Sequence, residues 1–240
     1  FGIQARRRRR YLDLFCPSGS PPAEQPVNQT QPALGWTRPY KTHTTELKLT
    51  VTATDIRNAA ATLEGNIIRT PFIEAPMLSR VLGCDLTLKL ENLQHTSSFK
   101  ARGAYIAMQA LDEASRQRGV ITMSAGNHAQ AVAYHASKMG IPATIVMPAQ
   151  TPFAKVSRTR AFGADVVLEG RNLNECEGTV NRLIAERGLS LIHPYDNELV
   201  MMGQGTAGLE MLADKPDLDT LLVPIGGGGL MGGIATIARD

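Results

Sequence analysis

From about Asp55 onward, short apolar runs alternate with segments of helical period, and that alternation leaves few architectures open. A strand that is apolar on both faces must be covered on both, and helices falling between such strands in sequence do this when the strands run parallel. The candidate strands are Asp85 to Leu90, Val120 to Met123, Ala143 to Met147, Ala164 to Leu168, a short one near Leu191, and Thr220 to Ile225. Between them, Asn172 to Arg187 predicts a helix with Leu173, Cys176, Val180, Leu183 and Ile184 on one stripe, which makes Cys176 core rather than nucleophile. Gly140 and Gly163 each end a helix ahead of a strand. The predicted class is α/β, with open parallel sheets.

Charge is distributed unevenly. Residues 1–50 hold eight Lys or Arg against three acids, whereas residues 51–240 hold seventeen against nineteen. A nucleic-acid footprint would rest on Arg6 to Arg10 alone, and beside Pro, Ser and Gln that run reads as a solvated, disordered arm. No apolar stretch approaches the roughly 20 residues of a membrane span. Cys16, Cys84 and Cys176 are too scattered for a metal site or a disulfide framework, and a reducing, cytoplasmic setting is expected. The chain opens on Phe1 without the apolar segment of a secretory signal, so a piece of a longer protein is expected.

Three turns carry candidate chemistry. Val223-Pro224-Ile225 leads into Gly226, Gly227, Gly228 and Gly229, then into the helix-compatible Leu230 to Ala238. Glycine backbone can aim successive NH groups at one anion, and the helix N-terminus adds about half a positive charge. No Lys-Ser or Lys-Thr follows, so this is not the nucleotide P-loop; alone, it is either an anion cradle or a tight packing turn. Gly203-Gln204-Gly205-Thr206-Ala207-Gly208 fits the dinucleotide pattern G-x-G-x-x-G, but Asp196 to Met202 makes a poor strand before it, and a close-packed loop opening a helix is expected. Ser124-Ala125-Gly126-Asn127-His128 follows a strand and opens a helix, where ligands of open α/β sheets lie. Alone, Asn127 could be a helix cap and His128 a satisfied surface histidine.

Ser97-Ser98-Phe99-Lys100 follows the strand ending near Glu91, with serines suited to capping a helix that runs toward Leu111. Lys100 then falls in a first helical turn, where a cation opposes the macrodipole. It is either a solvated lysine or a nucleophile activated by its surroundings.

Taken together, Ser97 to Ala104, Ser124 to Gln130 and Gly226 to Leu230, in this order, resemble the fold type II pyridoxal-phosphate enzymes, a tryptophan synthase β-like fold. The likeness runs from about Asp55 to Asp240 and is nearest to threonine dehydratase, with serine racemase a close relative. It implies that Lys100 is the Schiff-base lysine, that Phe99 lies against the ring of pyridoxal 5'-phosphate, that Asn127 bonds its phenolic oxygen, and that Gly226, Gly227, Gly228 and Gly229 hold its phosphate. Ser124, Ala125, Gly126, Asn127 and His128 would grip the carboxylate of a small amino-acid substrate. Motif order predicts an arm at 1–50, a large domain from 51–118 and 197–240, and a small domain at 119–196 inserted between.

Two departures bear on activity. Racemases of this group carry a serine where this chain has Ala125, and a methyl group cannot exchange a proton on the second face, so elimination is favoured over racemisation. Family members also continue past the tetraglycine helix, so the resemblance implies a C-terminally truncated chain, whose full-length parent is expected to be a homo-oligomer. A Rossmann oxidoreductase and an inactive fragment or binding module are the rival readings.

Overall fold

The computed structural model describes residues 2–7 and 50–240. Its first half comprises β1 (Gly2–Arg7), α1 (Ala53–Leu63), β2 (Phe72–Glu74), α2 (Pro76–Leu82), β3 (Cys84–Lys89), a 3-10 turn at Glu91–Leu93, α3 (Lys100–Gln109) and α4 (Glu113–Arg118). Next come β4 (Val120–Met123), α5 (Asn127–Met139), β5 (Ala143–Met147), α6 (Phe153–Arg160), β6 (Asp165–Leu168), α7 (Leu173–Arg187) and β7 (Ser190–Leu191). The chain closes with α8 (Glu198–Asp214), β8 (Leu221–Leu222) and α9 (Gly229–Ala238).

One sheet has the order β6-β5-β4-β7 with every described pair parallel. Its apolar runs work as expected, because successive residues point to opposite faces and both faces are covered. Val120, Ile145 and Met147 join Ala129, Val132 and Ala136 of α5 and Val156 of α6, while Ile121 and Val146 meet Cys176, Val180 and Leu183 of α7. Cys176 is thus fully buried, and burial pushes its thiol pKa up. Asn172 caps α7 through Glu175 N–H, which leaves Leu173 in the first turn exposed rather than on the core stripe.

The other sheet departs from expectation. Its order is β2-β3-β1-β8, and its described pairs are antiparallel, not parallel. β1 lies between β3 and β8 and opposes both, so those two run the same way. The disordered arm expected over residues 1–50 is therefore interrupted by strand backbone at Gly2–Arg7, where Arg6 and Arg7 pair with Asp85 and Cys84. Residues 1 and 8–49 of that arm, Arg8 to Arg10 included, lie outside the described residues. β2 went unforeseen because three residues are too few to show a period.

The dinucleotide-like glycines serve helix packing. They lie inside α8, which Asn197 caps, and not in a loop that opens it. A Cβ on Gly203 would come 2.6 Å from the Gly103 Cα on α3, and one on Gly205 would come 3.0 Å from the Gly233 carbonyl oxygen on α9. Bare backbone lets α8 pack between α3 and α9 at close range, and this fixes the two helices that begin with Lys100 and with Gly229.

Candidate active site

Lys100 is the first residue of α3, but the serines before it do not cap the helix. The cap position is Phe99, without a side-chain hydrogen bond, and the Ser98 and Thr96 hydroxyls are buried without partners. The approach loop is held instead by Gln94, which accepts from Ile68 N–H at 2.9 Å and donates to the Ile68 carbonyl at 2.8 Å. Ser97 takes the left-handed φ of 56° that turns the chain into the helix.

Two residues beyond Lys100, the fully buried Arg102 anchors the start of α3. Its guanidinium takes Glu91 at 2.9 and 2.7 Å and Glu210 of α8 at 2.6 and 2.9 Å. Lys89 from β3 reaches the same Glu210 at 2.5 Å and donates to the Thr70 carbonyl at 2.7 Å. Burial raises the pKa of Glu210, but Arg102 and Lys89 outweigh it and hold the carboxyl below its ordinary range. Two cations and two anions thus neutralise one another inside the fold, and their fork geometry fixes α3 against β3, the 3-10 turn and α8.

The Lys100 amine is half-buried and donates to the Pro194 carbonyl at 2.5 Å. Burial pulls its pKa down from 10.5 to about 8. An amine that sheds its proton near neutrality can act as nucleophile and base, which an exposed lysine cannot. The reaction of Lys100 with a small aldehyde, followed by absorbance, should climb with a midpoint near pH 8 and flatten above it; a midpoint near the 10.5 of a solvated lysine would refute the burial argument.

At the tetraglycine turn, Gly228 adopts φ +90°, a conformation that favours glycine, and caps α9 without a side chain. A Cβ on Gly226 or Gly228 would meet nothing within 4 Å, whereas one on Gly227 would fall inside the Tyr195 ring, and one on Gly229 would lie 2.9 Å from the Tyr195 carbonyl oxygen. The turn is open on one side and closed by Tyr195 on the other. Since Pro194 holds the Lys100 amine and Tyr195 touches Gly229, ordinary backbone spacing puts that amine within about 10 Å of the Gly229 Cα. Such a separation suits one small molecule bearing both a carbonyl group and a phosphate, so these residues fit pyridoxal phosphate.

α5 repeats the uncapped start. α1, α4, α7 and α8 carry side-chain caps, and α2 and α6 open on proline turns, but α3, α5 and α9 have neither. The cap of α5 is Gly126, whose N–H donates to the Ser124 Oγ at 3.2 Å, and the first-turn amides of Asn127 and His128 follow it. Asn127 is exposed, and Ala125 is half-buried against the core of the parallel sheet. The His128 side chain is neither on the surface nor open to a ligand; it is buried, with Nε2 2.9 Å from the Ile192 carbonyl oxygen. Phe99 packs among Leu230, Ile234 and Met211 under the tetraglycine turn.

The segment Ile192 to Tyr195, which links β7 to α8, meets Lys100, His128 and the tetraglycine turn, and sequence reasoning missed it. Its only local signal was His193-Pro194 before a capped helix, a pattern that turns share widely.

Comparison with known proteins gives the site its context. The model of the family described as pyridoxal-phosphate dependent enzyme matches residues 63–240. An L-threonine ammonia-lyase of Thermotoga maritima is 46% identical over 190 residues, covering 79% of this chain and 47% of that protein. The chain spans about half the length of the curated relatives it matches. Among solved structures, a serine racemase from Dictyostelium discoideum superposes with a TM-score of 0.75 at 38% identity over 79% of this chain and 62% of that one. Threonine deaminase isoform 2 from Solanum lycopersicum superposes with 0.73 at 38% identity over 78% of this chain and 52% of that one.

Proposed function

Because this chain belongs to the pyridoxal-phosphate dependent enzyme family, with the fold type II architecture, we propose that its whole protein converts L-threonine, and L-serine, to the 2-oxo acid and ammonia. The observation that carries this reading is the meeting of the Lys100 amine and the tetraglycine turn on one short segment, Pro194-Tyr195. Names borne by relatives, threonine ammonia-lyase and threonine deaminase, point the same way.

Lys100 would hold the cofactor through its aldehyde, Gly226 to Gly229 and the first amides of α9 would hold its phosphate, and Phe99 and Asn127 would flank and orient it. Once bound there, the cofactor supplies a ring that accepts negative charge from Cα. The substrate carboxylate would be held by backbone amides in the turn Ser124 to His128, where the uncapped start of α5 favours an anion. The amine of Lys100, when free, takes the proton from Cα; its lowered basicity suits it to give the proton up again. Loss of the β-hydroxyl and hydrolysis of the resulting enamine complete the reaction. A small domain at 119–196 between two parts of a large one, cytoplasmic residence and a homo-oligomeric whole protein belong to the same reading.

Serine racemase is the second reading, favoured by the superposition on the Dictyostelium enzyme. Ala125 decides against it. A racemase must return a proton to the other face of a planar carbanion, and the Ala125 methyl has none to give. Ammonia release from threonine or serine by the whole protein should therefore far outrun formation of D-serine, and Ala125→Ser should raise racemisation by about tenfold or more. Chiral chromatography of residual serine beside an oxo-acid assay makes the test. D-Serine appearing from the unsubstituted protein as fast as ammonia would overturn the choice.

A further inference from the structure

We propose that His128 is a positioning residue: by pinning the Ile192 carbonyl, it fixes the Ile192 to Tyr195 strap whose Pro194 carbonyl sets where the Lys100 amine stands. This rests on the reading of Lys100 as the lysine that joins pyridoxal phosphate.

The imidazole is 2% exposed in the first turn of α5. Burial pulls its pKa down to about 3, so the ring is neutral and carries one proton. With Nε2 2.9 Å from a carbonyl oxygen, that proton sits on Nε2. Nδ1 is then a bare acceptor, and it is buried without a partner. A residue needed only for packing would not leave a lone pair stranded, since leucine fills similar space without one. What histidine adds here is the hydrogen bond to Ile192.

That bond matters because of what lies two residues on. A lysine amine swings on four methylenes; here it stands 5.3 Å from the centre of the Phe99 ring and donates its hydrogen bond to the Pro194 oxygen at 2.5 Å. A carbonyl holds an amine in place only if the carbonyl is itself held. On its C-terminal side, the Tyr195 ring rests on Gly227, and Asp196 N–H donates to the His193 Nδ1 at 2.8 Å. On its N-terminal side Ile192 is held twice: its N–H donates to the Ile121 carbonyl at 2.9 Å, and its own carbonyl, the group that leads on toward Pro194, is pinned by His128. Proline restricts φ between them.

The test uses the whole protein stripped of cofactor, with His128→Leu and His128→Gln, the latter keeping an N–H near the reach of Nε2. Formation of the covalent link with pyridoxal phosphate is followed by stopped-flow absorbance. Binding of pyridoxine phosphate, which has no aldehyde, is followed by fluorescence. His128→Leu should slow the link by about tenfold or more, bind pyridoxine phosphate within about threefold of the parent, and His128→Gln should recover most of the rate. Linkage in His128→Leu at the parental rate overturns the proposal, and so does an equal loss in both measurements, which would report a collapsed cradle. Should His128→Leu fail to fold, His128→Asn replaces it, since its amide falls short of Ile192; equal rates for Asn and Gln then overturn the proposal. A parent that forms no link at all refutes the reading of Lys100 itself, whatever His128 does.

Discussion

Lys100→Ala should lower ammonia release from threonine by about four orders of magnitude or more, and abolish the covalent attachment of pyridoxal phosphate. One substitution removes two functions, the anchor and the base, so the loss exceeds that from either alone. The fold should survive. Lys100 takes no part in the ion quartet around Arg102, and among the described residues its amine hydrogen-bonds to the Pro194 carbonyl alone. Removing an amine whose charged form burial disfavours should leave stability nearly unchanged. The tetraglycine turn remains, so pyridoxine phosphate should still bind. Mass spectrometry after borohydride reduction, with an ammonia assay on the same sample, makes the measurement. Turnover within tenfold of the parent, or a cofactor adduct on another residue, would remove Lys100 from the mechanism.

The second large effect falls on stability. Arg102→Met should cost about 3–5 kcal/mol, because it leaves Glu91 and Glu210 buried with Lys89 as the only remaining cation of the quartet. For a chain of this size the melting temperature should fall on the order of 10 °C. Arg102→Lys should recover little, since a single ammonium cannot present the paired N–H groups that meet two carboxylates in one plane. Calorimetry on the three proteins decides it. A melting temperature for Arg102→Met within about 2 °C of the parent would show that the quartet is neutral to folding.

Much of the parallel sheet was legible beforehand. Val120–Met123 and Ala143–Met147 are strands at the expected residues, and α7 begins and ends within a residue of its sequence bounds. These features rest on local causes: an apolar run covered on both faces, a 3.6-residue stripe, an asparagine cap, a glycine in the left-handed region. The position of Lys100 in a first turn was legible for the same reason, as was a glycine turn after the strand at Leu221–Leu222. The serine caps were misjudged because Ser97 turns the chain and Ser98 is buried, an outcome decided by the packing of the loop and not by hydroxyl preference.

The antiparallel placement of β1 was not legible, since register and direction come from partners about 80 and 220 residues away. Nor was the purpose of Gly203, Gly205 and Gly208, which fit a nucleotide pattern in one dimension and a helix contact in three. Periodicity, capping and turn chemistry act over a few residues, so the sequence by itself determined the main strands of the parallel sheet, helix α7, the glycine turns and the lysine that starts α3. Pairing Arg102 with Glu210, or seating Lys100 on Pro194 and Tyr195 on Gly227, depends on which surfaces exclude water together. Only the tertiary structure decided that, because burial brings together residues that are distant in the chain and makes a hydrogen bond or an ion pair there necessary.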